Sequence, residues 1–149
     1  MTLSLFLHVL GVVVWVGGMF FAYMALRPVA AAVLEPPQRL TLWSGVFAKF
    51  FPWVWGSVVA ILLSGLHMLV VLGGTSAPPY VFTMFALGMV MMLIFGHVFF
   101  APYSQLKRAV SQQDWKAGGA ALGQIRQLIG INLSLGLLTV AVVFLGRAF

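Results

Sequence analysis

Residues 3–26, LSLFLHVLGVVVWVGGMFFAYMAL, form an apolar run that is long enough to cross a lipid bilayer as a helix. This run contains one ionisable side chain, His8. An imidazole is costly to place in hydrocarbon, so it indicates either a hydrogen bond to a neighbouring helix or a metal or cofactor ligand. At helical spacing the histidine shares one face with Gly11, Trp15 and Gly18. The glycines are predicted to leave space for a flat ring or another backbone, and Trp15 to shape that pocket.

The composition around this run is that of an integral membrane protein. Of 149 residues, 62% are hydrophobic and only 7% are charged, whereas about a quarter of a soluble domain is charged. We therefore predict one transmembrane domain over residues 1–149. The chain has no cysteine, which excludes disulfides, thiolate metal sites, iron–sulfur clusters and covalent haem attachment through cysteine.

Hydropathy and proline positions predict an all-α fold, a bundle of four transmembrane helices. The predicted spans are residues 3–26, 53–72, 80–100 and 125–145. Pro28 is predicted to kink or end the first span, and Pro52 to mark the start of the second. Residues 38–51 are predicted to form an amphipathic helix that is interfacial or enters the membrane. Residues 103–124 are predicted to be a polar connection with helical pieces on the membrane surface.

The charged residues predict an orientation. Seven of the eight basic residues lie in or beside the connections between spans one and two and between spans three and four: Arg27, Arg39, Lys49, Lys107, Arg108, Lys116 and Arg126. The positive-inside rule places those connections in the cytoplasm and both termini, with the loop at residues 73–79, outside. A net charge of +6 distributed in this way indicates contact with lipid head groups and not with nucleic acid.

The topology places two histidines at similar depth. His8 is expected about 9 Å from the outer end of span one, and His67 about 8 Å from the outer end of span two. His97 is expected about 25 Å below the outer end of span three, too far to join them. The pair can hold a b-type haem between two imidazoles, or it can bind copper with methionine as a helper. The remaining alternative is that each histidine only forms a hydrogen bond to a neighbouring helix.

Several short motifs extend over most of the chain. They are His8 seven residues before Trp15, Arg27-Pro28, the Pro52 entry to span two, Ser64-Gly65-Leu66, Phe95-Gly96-His97, and the polar entry to the last helix at residues 124–132. With these motifs the sequence resembles copper resistance protein D-like (CopD-like) membrane proteins and the related HemJ-type protoporphyrinogen oxidases.

The resemblance implies a small helical bundle in a bacterial inner membrane. HemJ-type members bind haem b through the histidine of span one, which corresponds to His8. Their second ligand is a lysine early in span three. Residues 80–86 here, YVFTMFA, contain no lysine, so the resemblance makes His67 the replacement ligand. CopD-like members are associated with copper uptake, although the outer loop at residues 73–79 lacks His, Met and Cys.

The sequence therefore favours a b-type haem protein that performs electron transfer or haem-linked oxidation near the outer face of the membrane. His8 and His67 would be the axial ligands, and His97 is a weaker candidate. Any enzyme activity would be that of a haem-dependent oxidoreductase similar to protoporphyrinogen oxidase, and a quinone or a redox protein would be the partner. One alternative is copper transport through the same histidines. Another is an accessory subunit that packs in a homo-oligomer or a larger complex through the face of Gly130 and Ser134.

Overall fold

The structure, a computed structural model, describes residues 1–148, which form helices joined by short connections. Apolar segments favour helices because a helix satisfies its backbone hydrogen bonds within its own segment. In chain order the helices are α1 (Thr2–Phe21), α2 (Arg27–Val33), α3 (Pro36–Val71), α4 (Pro79–Phe100), α5 (Pro102–Ser111) and α6 (Trp115–Ala148). Four segments are long and apolar enough to cross a membrane: Thr2–Val33, Pro36–Val71, Pro79–Ser111 and Trp115–Ala148. The prediction of an all-α membrane protein with four spans is confirmed.

The first span continues past Pro28 through a π-helical turn at Ala22–Leu26, which joins α1 to α2. In this turn the backbone N–H of Arg27 donates to the carbonyl of Ala22, so the carbonyl of Tyr23 loses its usual α-helical donor. Pro28 has no N–H to replace it. Instead, the side chain of Arg27 donates from Nε to the Tyr23 carbonyl at 3.2 Å. The helix therefore passes the proline without leaving this carbonyl unpaired.

The second span differs from its predicted start at Pro52, because α3 runs without interruption from Pro36 to Val71. Of the two alternatives for residues 38–51, the membrane-entering helix is the one observed, since this segment is the first part of the long helix. Phe47 and Phe51 before the proline and Val54 after it are all buried on the same side. Packing on both sides of Pro52 holds one continuous helix, and membrane-spanning helices tolerate proline.

The last span also begins earlier than predicted. α6 starts at Trp115, and its first three turns occupy the stretch that the sequence assigned to a surface connection. The shorter helix α5 is amphipathic: Leu106 is completely buried, whereas Lys107 and Arg108 are exposed. The connection between spans three and four is therefore almost entirely helical.

The helices form two antiparallel pairs, α1 with α3 and α4 with α6. At one end, a Cβ on Gly118 of α6 would lie 3.1 Å from Leu40 of α3 and 3.4 Å from Ala109 of α5. We call this the basic end, because it carries Arg27, Arg39, Lys107, Arg108, Lys116 and Arg126. At the opposite end, the loop end, Tyr80 of α4 contacts Gly146 of α6.

The core is aromatic and lies towards the basic end. Phe51 of α3 packs on Phe95 of α4 with ring centroids 5.4 Å apart, and on Tyr103 of α5 at 4.8 Å. Trp15 of α1 meets the same Phe95 edge to face at 6.1 Å. Edge-to-face pairs of this kind stabilise a core beyond their buried area. This aromatic core joins both helix pairs, so it fixes the relative position of α1 and α3 that the candidate site depends on.

Candidate functional site

Two serine–histidine contacts cross between α1 and α3 at the loop end. Ser4 Oγ of α1 lies 2.8 Å from Nδ1 of His67 on α3. Ser64 Oγ of α3 lies 3.1 Å from Nδ1 of His8 on α1. Each helix therefore contributes one serine and one histidine, and each histidine contacts the serine of the other helix. Because α1 and α3 are antiparallel, the two contacts lie about one helical turn apart, on the order of 6 Å.

The second partner of His8 fixes the tautomer of its ring. Nδ1 of His8 also lies 3.2 Å from the carbonyl oxygen of Ile61. A carbonyl only accepts hydrogen bonds, so Nδ1 must carry the proton in this contact. In the neutral ring, Nε2 then holds a free lone pair, as a metal-ligating imidazole requires. The Ser64 hydroxyl in turn donates to the carbonyl of Ala60, which leaves its oxygen free to accept from His8.

His67 is held in a simpler way. Its Nδ1 contacts only the Ser4 hydroxyl, which can donate or accept, so this contact positions the ring without selecting a tautomer. The side chain of His67 is exposed at the bundle surface, whereas His8 is half-buried between the two helices. His67 is thus the more accessible of the two histidines, and Ser4 and Ser64 each hold one ring by a contact to its Nδ1.

Of the two roles predicted for the glycines, the structure shows close approach of the neighbouring helix and not open space for a flat ring. A Cβ on Gly11 would lie 2.8 Å from Cγ1 of Ile61 and 3.2 Å from the carbonyl oxygen of Ser57. Gly18 lies directly against the ring of Phe50. Both glycines let α3 approach α1 closely, in the manner of small residues at membrane helix interfaces.

These contacts do not fit a haem between the helices. A haem ring placed beside Gly11 and Gly18, as the sequence predicted, would need the volume that Ile61 and Phe50 occupy. The predicted pocket residue Trp15 is also buried elsewhere, against Phe95 in the aromatic core. We therefore derive no haem chemistry for this chain.

The structure separates His97 from the other two histidines, as expected. It lies one turn before the end of α4, near the basic end, and its side chain is exposed. The predicted intermolecular face of Gly130 and Ser134 is partly used inside the molecule: a Cβ on Gly130 would lie 3.1 Å from the ring of Tyr23.

Sequence reasoning missed the role of Ser4. The available signal was its position four residues before His8, which places both side chains on one face of α1. Ser64 was named as part of the Ser64-Gly65-Leu66 motif, but its contact with His8 across the interface was not predicted.

The donor set limits the kinds of metal that can bind. Within residues 1–148, no three His, Cys, Asp or Glu side chains group together as a metal site. A structural zinc site takes four ligands, so two imidazoles do not make one. Imidazole nitrogen does suit copper, and a ligand pair on an accessible face suits an ion that binds and leaves.

Comparison with known families gives a match that covers more than half of the chain. A family model described as Copper resistance protein D matches residues 44–145. The matched region extends from within α3 to the last turns of α6, so it contains His67 and His97, whereas α1 with His8 precedes it. No curated protein and no solved structure matches the chain.

Proposed function

The chain belongs to the copper resistance protein D family, and we propose that it moves copper into or across a bacterial inner membrane. His8 and His67 would be the ligands that receive the ion at the loop end. Copper is the cargo here and not a resident cofactor. The proposal replaces the haem-based prediction, because the family match favours copper and the packing of α1 on α3 leaves no room for the ring.

The observation that carries the proposal is the crossed pair of serine–histidine contacts. Histidine is expensive within a membrane span, and here two of them occupy adjacent turns of one interface. The hydrogen bond from Nδ1 of His8 to Ile61 leaves Nε2 as the ligating atom. Partners of this kind orient metal-ligating histidines in proteins, and their loss typically costs about 10–100-fold in metal affinity.

Copper accumulation in cells tests this function. Wild-type protein and the variants His8→Ala, His67→Ala and His97→Ala would be expressed at equal membrane levels in a host with low copper uptake. We expect wild type and His97→Ala to raise cellular copper equally, and each of the other variants to lose most of that increase. His97 is the matched control, since it is an exposed histidine at the other end of the bundle.

A binding measurement makes the test independent of transport. Purified protein in mild detergent would compete for Cu(I) with a chromogenic chelator. Removing either ligand should weaken copper binding at least as much as losing an orienting partner, about 10–100-fold. Wild-type affinity in a His8→Ala/His67→Ala double variant would refute the proposed ligands. If the purified wild-type protein shows a Soret absorption band that is lost in His8→Ala, the site binds haem and the copper proposal is refuted.

A further inference from the structure

A cavity of about 370 Å³ lies at the basic end, far from the two serine–histidine contacts. It is a half-open cavity lined by the π-helical turn and α2, by the first turns of α3, and by the first half of α6. Its volume falls in the range of small-molecule binding sites. Neither the proposed copper ligands nor the residues around them reach this cavity.

Three arginines from three different segments line the cavity: Arg27, Arg39 and Arg126. The chain has only two acidic residues, Glu35 and Asp114, and neither lines it. Asp114 is already used, since its carboxylate accepts a hydrogen bond from the N–H of Ala117. Three guanidinium groups around one cavity without a carboxylate make a site with strong positive potential.

The first of these arginines is held in a fixed position. Nε of Arg27 donates to the carbonyl of Tyr23, and its guanidinium carbon lies 4.4 Å from the centre of the Tyr23 ring. The hydrogen bond uses the carbonyl that the π-helical turn frees. Because Nε makes the backbone contact, the two terminal nitrogens of the guanidinium remain to bind a ligand. π-Helical turns of this kind are frequent at functional sites.

The rest of the lining is aromatic and apolar. Trp43 and Phe47 are buried in the wall that α3 provides, and Trp115, Leu122 and Ile129 contribute from α6. A ligand that fills this cavity must therefore be anionic at one part and apolar at another. Tryptophan at the membrane surface is also typical of the depth at which lipid head groups meet their acyl chains.

We propose that this cavity binds the phosphate group of an anionic phospholipid, with the glycerol and upper acyl carbons against the tryptophans. Arginine pairs with phosphate through two parallel N–H···O bonds, and basic pockets between membrane helices commonly take acidic lipid head groups. The bound lipid would link α2, α3 and α6, whose arginines otherwise repel one another. The site does not depend on the proposed copper transport.

Thermal unfolding of the purified protein in mild detergent tests this proposal with three probes. These are phosphatidylglycerol, phosphatidylcholine (which has the phosphate but no net charge) and inorganic phosphate. We expect phosphatidylglycerol to raise the unfolding temperature in a saturable way, and the other two probes to have much smaller effects. Equal stabilisation by phosphatidylcholine would overturn the proposal. Saturable binding of inorganic phosphate that blocks phosphatidylglycerol would assign the site to free phosphate and not to lipid.

Variants locate the site. Arg39→Gln and Arg126→Gln should each weaken phosphatidylglycerol binding about tenfold, the typical effect of removing one hydrogen bond to a charged group. Both leave the Arg27–Tyr23 contact intact, so the fold should be retained. Arg108→Gln is the matched control, because Arg108 is exposed at the same end but does not line the cavity. Equal losses in the control and in the cavity variants would show only a general charge effect and would refute the site.

Discussion

At the residue scale, hydroxyl and carbonyl groups at the interface between α1 and α3 replace water as hydrogen-bond partners of two histidine rings. The rings of His8 and His67 would be poorly solvated in hydrocarbon, and Ser64 and Ser4 supply a hydrogen bond to each. This arrangement has a consequence for metal binding, because a histidine that is already oriented loses less entropy when it binds an ion. The same contacts that make the histidines tolerable in the membrane therefore also prepare them as ligands.

Close packing between the two helices depends on Gly11, which gives a direct prediction. A methyl group there would meet Cγ1 of Ile61 at 2.8 Å and the backbone oxygen of Ser57 at 3.2 Å, so the Ile61 side chain or one of the two helices must shift. We expect Gly11→Ala to destabilise the protein by about 1–3 kcal/mol, the usual cost of overpacking. The measurement is the free energy or the temperature of unfolding of the purified protein in detergent.

The control for this prediction lies on the same helix. Gly17 has no atom within 4 Å of the position that a Cβ would occupy. Gly17→Ala should therefore leave stability unchanged or raise it slightly, since alanine favours helix more than glycine does. Similar losses for Gly11→Ala and Gly17→Ala would contradict the packing described for Gly11.

The sequence alone placed His8 and His67 at similar depth, but it left open whether the glycines make room for a flat ring or for another backbone. Hydropathy and helical rise give the level of a residue in a span, because both depend only on distance along the chain. They do not say which side chain of another helix lies opposite. Whether Gly11 faces a void or Ile61 depends on the register between α1 and α3, and no local pattern encodes that register.

At the element scale, the start of α6 is set by Asp114. The carboxylate of Asp114 accepts a hydrogen bond from the N–H of Ala117 at 3.2 Å, and its carbonyl accepts one from Gly118 at 3.0 Å. This is the geometry of an N-cap, in which an acidic side chain also complements the positive end of the helix dipole. With this cap, α6 begins at Trp115, ten residues before the apolar span that was predicted to start at residue 125.

Removing this cap should loosen the first turns of α6. Asp114→Ala is expected to cost about 1 kcal/mol of stability, the typical value for losing a capping side chain. Hydrogen exchange of the amides at residues 115–118 should become faster, while exchange in the aromatic core stays unchanged. Asp114→Asn retains a capping oxygen and should behave nearly as wild type. If Asn and Ala at this position have equal effects, the cap does not stabilise the helix.

Proline positions show the limit of prediction at this scale. Sequence rules predict that Pro28 kinks or ends the first span and that Pro52 starts the second, because proline removes a donor and crowds the preceding turn. In the structure the Arg27 side chain replaces the missing donor at the first, and the buried rings of Phe47 and Phe51 hold α3 across the second. The first compensation is a local contact within the span, whereas the second depends on burial that exists only in the folded bundle.

At the scale of the whole molecule, the two ends of the bundle have different characters. The basic end contains the aromatic core, the short helix α5 and the arginine-lined cavity. The loop end is less tightly packed: α6 has no buried residue beyond Gly136 among the residues described. In the family-based proposal, copper enters through the more open end, while the basic end anchors the bundle in the membrane.

The orientation of these ends in the membrane is the last prediction. The positive-inside rule places the basic end in the cytoplasm and the loop end outside. Because the chain has no cysteine, a single introduced cysteine can be labelled without background. Ser76→Cys in the loop and Gln112→Cys between α5 and α6 are both exposed and lie at opposite ends. A membrane-impermeant thiol reagent should label Cys at position 76 in intact cells, and Cys at position 112 only after the membrane is opened. The reverse pattern would place the histidine pair at the cytoplasmic face, so that copper would be received from inside the cell and the protein would act in export.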